Sequence, residues 1–101
     1  MRNRLSPIHP GEILLEEFLK PVDLSQKQLA NALDVPSGRI YDIVRGKRGI
    51  TPDTAARLAV YFGTSPELWI NLQARFDAKI AEHELMPVIR KRVHLRAHVV
   101  A

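Results

Sequence analysis

The most informative segment of this sequence spans residues 24–50 and reads LSQKQLANALDVPSGRIYDIVRGKRGI. Its apolar residues recur at intervals of three and four, in two blocks that are separated only by Asp34-Val35-Pro36. Ser25 is a favourable N-cap for the first block, and Gly46 is typical of the residue that follows a helix. The segment therefore predicts two short helices joined by a tight turn, which is the geometry of a helix-turn-helix.

The same helical period continues on both sides of this segment, where proline and glycine mark the ends of each block. His9 is expected to cap the first helix or to pack against it. Pro21 is expected to stop the first helix and Pro87 the last, because proline lacks the N–H that a helix interior uses. The predicted fold class is all-α, with five helices in one domain. The helices are expected at about 10–18 or 10–19, 26–33, 37–44, 52–62 and 66–86.

Composition limits the classes of protein to which the chain can belong. With 101 residues, of which 46% are hydrophobic, it is long enough to bury one core. The absence of cysteine excludes a disulfide framework and zinc sites built on thiolates. No apolar run approaches the roughly 20 residues of a membrane helix, and the N-terminus lacks the apolar core of a secretion signal. A cytoplasmic protein is the expectation.

The positions of the charges are more informative than the formal net charge of +4. Four basic residues and one acid fall between residues 39 and 48. Four more basic residues, with no acid, fall between residues 87 and 101. Two local basic clusters on a nearly balanced chain favour contact with nucleic acid.

Residues 87–101 form a basic C-terminal tail outside the predicted domain, which spans residues 1–86. Basic and apolar residues alternate imperfectly in this tail, so that a short strand, a helix or a disordered arm are all open. His94 and His98 are four residues apart, a spacing that suits a metal ion only if the tail is helical. Without cysteine or a neighbouring acid, no metal and no other cofactor is expected.

The second helix of the pair has an outward face suited to base edges in a major groove. Arg39 can donate two parallel hydrogen bonds to a guanine, which discriminates by about 1–3 kcal/mol. Asp42 can accept from a cytosine, or form a salt bridge with Arg39 or Arg45. The helix starts and the glycine-flanked loop after the second helix suit phosphates. The predicted DNA-binding residues are Gln26, Lys27, Ser37, Gly38, Arg39, Tyr41, Asp42, Arg45, Lys47 and Arg48.

Three further stretches are distinctive: residues 8–14 read IHPGEIL, residues 46–52 read GKRGITP, and residues 63–73 read GTSPELWINLQ. With them the chain resembles, over about residues 7–77, the HigA or virulence-associated-protein-I family of antitoxins. This family falls within the lambda-repressor-like, xenobiotic-response-element group. The resemblance implies a five-helix DNA-binding domain, usually homodimeric, that represses its own operon. It also implies neutralisation of a HigB-type toxin, a ribonuclease of the RelE group that cuts mRNA on the ribosome.

The resemblance also implies roles for individual residues. Gln26 matches the glutamine that contacts phosphate at the start of the second helix. Ser37, Gly38 and Asp42 fall at the base-contacting positions of lambda-like recognition helices. Pro36 replaces the serine or threonine that often caps this helix in the wider group, so a side-chain cap or phosphate contact is lost there.

The first helix has an acidic side that contains Glu12, Glu16 and Glu17. One interpretation is an ordinary solvated face. The other is a docking surface for a basic toxin, since complementary charge favours association.

The fifth helix has a large apolar cluster of Trp69, Leu72 and Phe76. These residues pack either in the core or in the seam of a homodimer, which would cover apolar area that a short chain leaves exposed. A twofold dimer places two recognition helices about 34 Å apart on successive major grooves, which predicts an inverted-repeat operator.

An enzyme is not expected, because the sequence has no glycine-rich phosphate loop after a strand, no cysteine nucleophile and no metalloprotease motif. The main alternative to an antitoxin is a stand-alone sequence-specific transcriptional repressor without a toxin partner. The sequence separates these two functions poorly.

Overall fold

The structure, a computed structural model, describes residues 7–97, and within this range the chain is all-helical. The predicted fold class and its five helices are confirmed. Residues 1–6 of the predicted domain and residues 98–101 of the predicted tail, including His98, lie outside the described residues. The helices are α1, which begins with Pro10–Ile13; α2, Gln26–Leu33; α3, Ser37–Val44; α4, Pro52–Phe62; and α5, which begins with Pro66–Ile80.

The first and last helices continue past the points where they were expected to end. In each, a π-helical segment is followed by one further turn that contains the proline, so the predicted stops at Pro21 and Pro87 are wrong. A proline inside an α-helix collides with the carbonyl four residues before it. In both helices the turn before the proline instead has a π-type hydrogen bond, from Lys20 N–H to the carbonyl of Leu15 and from Met86 N–H to that of Ala81. The π-helical segments are Leu14–Leu19 and Ala81–Leu85, and the turns after them are Lys20–Val22 and Met86–Ile89.

Side-chain caps begin most of the helices. The Ser25 hydroxyl accepts from the N–H of Gln28 at 3.0 Å, and the Gln28 side chain accepts from the N–H of Ser25 at 2.9 Å, which completes a capping box. Thr51 and Ser65 accept from backbone N–H groups at the starts of α4 and α5. Helix α3 differs, because Pro36 at its N-cap makes no side-chain hydrogen bond, as the sequence predicted.

Trp69 lies at the centre of the core and has no exposed surface. The centroids of the Phe18 and Phe62 rings lie 4.6 and 6.1 Å from that of its own ring, and its Nε1 donates to Thr64 Oγ1 at 2.8 Å. Core packing of Trp69 is therefore confirmed. Its assignment to a dimer seam is wrong, because a side chain that is fully covered within one chain has no surface to offer a second.

Helix α1 packs closely against the back of α3 at Gly11. A Cβ atom at Gly11 would overlap the carbonyl oxygen of Ile43 and would lie 2.6 Å from its carbonyl carbon and 2.9 Å from Cα of Val44. These are backbone atoms, which cannot rotate away as a side chain can. The position of α3 therefore depends on the absence of a side chain at Gly11.

His9 joins the start of α1 to α5. Its Nδ1 accepts a hydrogen bond from the N–H of Gly11 at 2.9 Å, and its ring meets Phe76 edge-on with centroids 4.8 Å apart. The predicted capping of the first helix is confirmed, whereas the ring packs against α5 and not against the first helix. Burial lowers the pKa of His9, against a smaller opposing effect of the Asp77 carboxylate.

We expect the protein to lose stability as pH falls below about 6.5, the pKa of an unfolded histidine. Because the folded-state pKa of His9 is lower, the unfolded chain takes up the proton first. The contribution of neutral His9 to the free energy of unfolding is thus complete above the unfolded-state pKa. It is lost as pH falls towards the folded-state pKa. Urea unfolding at several pH values measures the loss. His9→Asn keeps a capping oxygen without titrating, so an equally steep pH dependence in this variant would contradict the assignment.

Candidate nucleic-acid interface

Helix α3 has a buried side and an exposed side. Ile40 and Ile43 have no exposed surface and anchor the helix in the core. Gly38, Tyr41 and Arg45 are exposed, and a Cβ atom at Gly38 would meet nothing within 4 Å. The helix thus offers the open, polar surface that a groove-reading helix requires.

The basic side chains on α3 and just after it are paired with two different acids. Asp42 Oδ1 lies 2.9 Å from Arg45 Nη2, and Asp42 Oδ2 lies 3.9 Å from Arg48 Nη2. Of the salt bridges that the sequence left open for Asp42, the structure therefore shows the one with Arg45. Arg39 Nη1 instead donates to Asp53 Oδ2 of α4, at 2.7 Å.

Asp53 is a site residue that sequence reasoning missed. Its Oδ2 also accepts from Arg57 Nε at 3.0 Å, and Arg57 Nη1 donates to the carbonyl of Leu33 at the end of α2, at 2.8 Å. Hydrogen bonds from Arg39 and Arg57 lower the pKa of the Asp53 carboxyl. The local sequence signal at Asp53 indicates only a favourable acid in the first turn of a helix, because its partners come from other parts of the chain.

The loop after α3 presents two cations on a fixed backbone. Gly46 has φ +76°, and the N–H groups of Lys47 and Arg48 both donate to the carbonyl of Asp42, at 2.8 and 3.2 Å. Within residues 7–97, neither Lys47 nor Lys27 at the start of α2 forms an ion pair. Their charges are therefore available to phosphate groups.

Gln73 fixes this loop to α5. Its Oε1 accepts from the N–H of Ile50 at 2.7 Å, and its Nε2 donates to Asp77 at 2.9 Å. A Cβ atom at Gly49 would lie 3.1 Å from the same amide. Sequence reasoning gave Gln73 no role; the available signal was its place in the distinctive stretch at residues 63–73.

Two further predicted DNA contacts, Gln26 and Ser37, are less exposed than the side chains of the loop. Gln26 is half-buried at the first position of α2, behind the Ser25 cap. Ser37 is half-buried at the first position of α3. Both lie at helix starts, where backbone N–H groups favour an anion.

The acidic side chains predicted to meet a toxin lie on α1. Glu16 and Glu17 are exposed, and Glu16 Oε2 forms a surface ion pair with Lys20 at 2.8 Å. Glu12 is half-buried. The other two residues of the predicted dimer seam, Leu72 and Phe76, are half-buried on α5.

Of the two histidines considered for a metal site in the tail, only His94 is among the residues that the structure describes. His94 lies beyond the end of α5 in a segment without helical structure, so the helical spacing on which a histidine pair would depend does not apply to it. Within residues 7–97, no three His, Cys, Asp or Glu side chains are grouped so that they would hold a metal ion. In the same range, no helix has the length and apolar character needed to cross a membrane.

Comparison with known proteins identifies the family. The helix-turn-helix family matches residues 15–69. Virulence-associated protein I of Dichelobacter nodosus is 53% identical over 83 residues, which are 82% of this chain and 77% of that protein. Antitoxin HigA-1 of Vibrio cholerae serotype O1 is 33% identical over 76 residues, 75% of this chain and 71% of that protein. The solved structure of Pseudomonas aeruginosa antitoxin HigA with the higBA promoter has a TM-score of 0.81 and 45% identity, covering 86% of this chain and 95% of that one. The chain therefore belongs to the HigA-type antitoxin family of helix-turn-helix proteins.

Proposed function

We propose that this protein is a cytoplasmic antitoxin that binds operator DNA through α3 and represses its own operon. The observation that carries the proposal is the exposed polar side of α3, followed by a fixed loop in which the charge of Lys47 is available. The relative from Pseudomonas aeruginosa, which was solved with the higBA promoter, supports this use of the fold.

The contacts are divided between phosphate and base. Residues at helix starts and in the loop hold the backbone, and residues on the open side of α3 read base edges. The proposed phosphate contacts are Gln26, Lys27, Lys47 and Arg48. The proposed base contacts are Ser37, Gly38, Arg39 and Asp42, with Tyr41 and Arg45 at the margin.

Arg39→Ala and Lys47→Ala are expected to weaken operator binding in different ways. Loss of Arg39 costs about 1–3 kcal/mol and relaxes specificity at one base pair, because it removes a base contact. Loss of Lys47 weakens binding to all DNA sequences alike, because it removes a phosphate contact. It also lowers the slope of log affinity against log salt concentration by about one. Fluorescence anisotropy with the upstream region of the gene and its single-base variants measures both. Lys20→Ala, at an exposed position on the first helix, away from α3 and from α5, is the control. Unchanged base preference in Arg39→Ala would contradict the assignment.

The second part of the proposal is that the protein neutralises a HigB-type toxin by direct binding. Glu12, Glu16 and Glu17 give α1 an acidic side to which a basic ribonuclease would be attracted. The ion pair of Glu16 with Lys20 is solvent-exposed and is worth little, so it presents a small barrier to a new partner.

Co-expression tests the toxin partnership. We expect the neighbouring gene product to arrest growth when induced alone, and this chain to restore growth. Arg39→Ala should still rescue, since DNA contact and toxin contact use different helices, whereas charge reversal at Glu12, Glu16 and Glu17 should weaken rescue. A harmless neighbour would remove the antitoxin role and leave a stand-alone repressor.

The third part of the proposal is a homodimer formed along α5. Leu72 and Phe76 are half-buried, and Leu85, Met86 and Ile89 further along the helix are apolar residues that are 51%, 38% and 46% exposed. A second copy would bury this surface and place two recognition helices on an inverted repeat. Light scattering at micromolar concentration should report twice the chain mass of 11.4 kDa, and a stable monomer there would exclude the dimer.

A further inference from the structure

We propose that Asp53 is a positioning residue for DNA recognition, which sets base specificity by orienting Arg39. The inference rests on the proposed DNA-binding function and deepens it. Asp53 lies on α4, outside the helix-turn-helix, and acts through Arg39 with no contact of its own to a base.

The geometry joins α3 to α4 at one carboxylate oxygen, and Arg57 extends the connection to the end of α2. Asp53 Oδ2 accepts from Arg39 Nη1 of α3 at 2.7 Å and from Arg57 Nε of α4 at 3.0 Å. Arg57 is anchored in turn, because its Nη1 donates to the carbonyls of Leu33 and Asp34 at 2.8 and 3.3 Å. The Arg39 side chain in this arrangement is 28% exposed.

This arrangement limits the orientation of the Arg39 guanidinium. A free arginine side chain has many rotamers, and fixing it at a base edge costs conformational entropy. With one N–H held by Asp53, four N–H donors remain, enough for a bidentate contact to a guanine. Exposed ion pairs contribute little to stability, so the expected effect of Asp53 is on the orientation of Arg39.

The negative charge of Asp53 is expected to change the affinity for DNA and the preference for the correct base in opposite directions. An ionised carboxylate beside the cations of α3 repels phosphate groups, so by itself it weakens binding to every sequence. Hydrogen bonds from Arg39 and Arg57 lower the pKa of this carboxyl. Asp53 should therefore lower affinity for DNA in general while it raises the preference for the correct base.

Asp53→Asn tests the proposal, with Glu67→Gln as the matched control. Glu67 is the second residue of α5 after Ser65 and Pro66, as Asp53 is the second residue of α4 after Thr51 and Pro52, and it is exposed. The probes are a duplex with the inverted repeat from upstream of the gene and a scrambled duplex of equal length. Asp53→Asn should lower the ratio of the two affinities by about threefold to tenfold, which lies in the lower part of the range of couplings between contacting side chains. Affinity for the scrambled duplex should stay the same or rise, and Glu67→Gln should change neither.

Two further measurements separate positioning from a structural role. In an Arg39→Ala background, Asp53→Asn should leave the affinity ratio unchanged, because there is no guanidinium left to orient. Asp53→Glu, which retains the carboxylate, should restore part of the ratio. A parallel fall in both affinities together with the melting temperature, or an unchanged ratio, would overturn the proposal. Failure of the unaltered protein to prefer the operator would instead overturn the proposed function.

Discussion

Gly11→Ala is expected to destabilise the protein by about 2–4 kcal/mol and to weaken DNA binding with it. The added methyl group would overlap the carbonyl oxygen of Ile43, and its nearest neighbours are backbone atoms of α3. To remove this overlap, α1 and α3 must move apart. Because α3 carries the proposed base contacts, any fraction of the protein that stays folded should bind the operator less tightly.

The expected loss of stability is opposite in sign to the usual result of replacing a helical glycine with alanine, which makes the test decisive. In an unhindered helix, replacing glycine with alanine stabilises by about 0.5–1 kcal/mol, since alanine loses less backbone entropy on folding. Gly38 is the matched control, because it also lies in a helix and a Cβ atom there meets nothing within 4 Å. Urea unfolding should show Gly38→Ala as stable as the parent or more so, and Gly11→Ala markedly less stable. Equal stability of the two variants would contradict the close approach of α1 to α3.

The helix positions were predictable where their signals are local. Ser25, Thr51 and Ser65 each cap a helix through a backbone group three residues ahead, so the short sequence window that predicts a start also contains its cause. The continuation of the first and last helices through Pro21 and Pro87 was not predictable in this way. It depends on π-helical winding in the preceding turn, for which apolar periodicity has no signal.

The exposed side of α3 was also predictable from a local signal, but the residues that pair with its side chains were not. Periodicity alone separates Ile40 and Ile43 from the outward residues. The pairing of Arg39 with Asp53, 14 residues away, and of Ile50 with Gln73, 23 residues away, depends on how helices pack against one another. A sequence read locally therefore predicts which side chains are exposed, while the orientation of those side chains is set by contacts distant in sequence.

Trp69→Ala is expected to have the other large effect, a loss of about 3–5 kcal/mol of unfolding free energy. It removes the largest fully buried side chain and leaves Phe18 and Phe62 facing a cavity. A small domain has a total stability of about 5–15 kcal/mol, so a substantial unfolded fraction is expected at growth temperature. Trp69→Phe keeps most of the apolar contact and loses only the hydrogen bond to Thr64, so it should cost less.

The same two variants discriminate core packing from a dimer seam. If Trp69 packed between chains, Trp69→Ala would yield a folded monomer, and its cost would depend on protein concentration. Because Trp69 is covered entirely within one chain, we expect the unfolding midpoint of Trp69→Ala to lie below that of the parent by the same amount when protein concentration is raised tenfold. Urea denaturation followed by far-ultraviolet circular dichroism at two concentrations measures this. A folded, monomeric Trp69→Ala protein with unchanged urea resistance would place Trp69 at the interface after all.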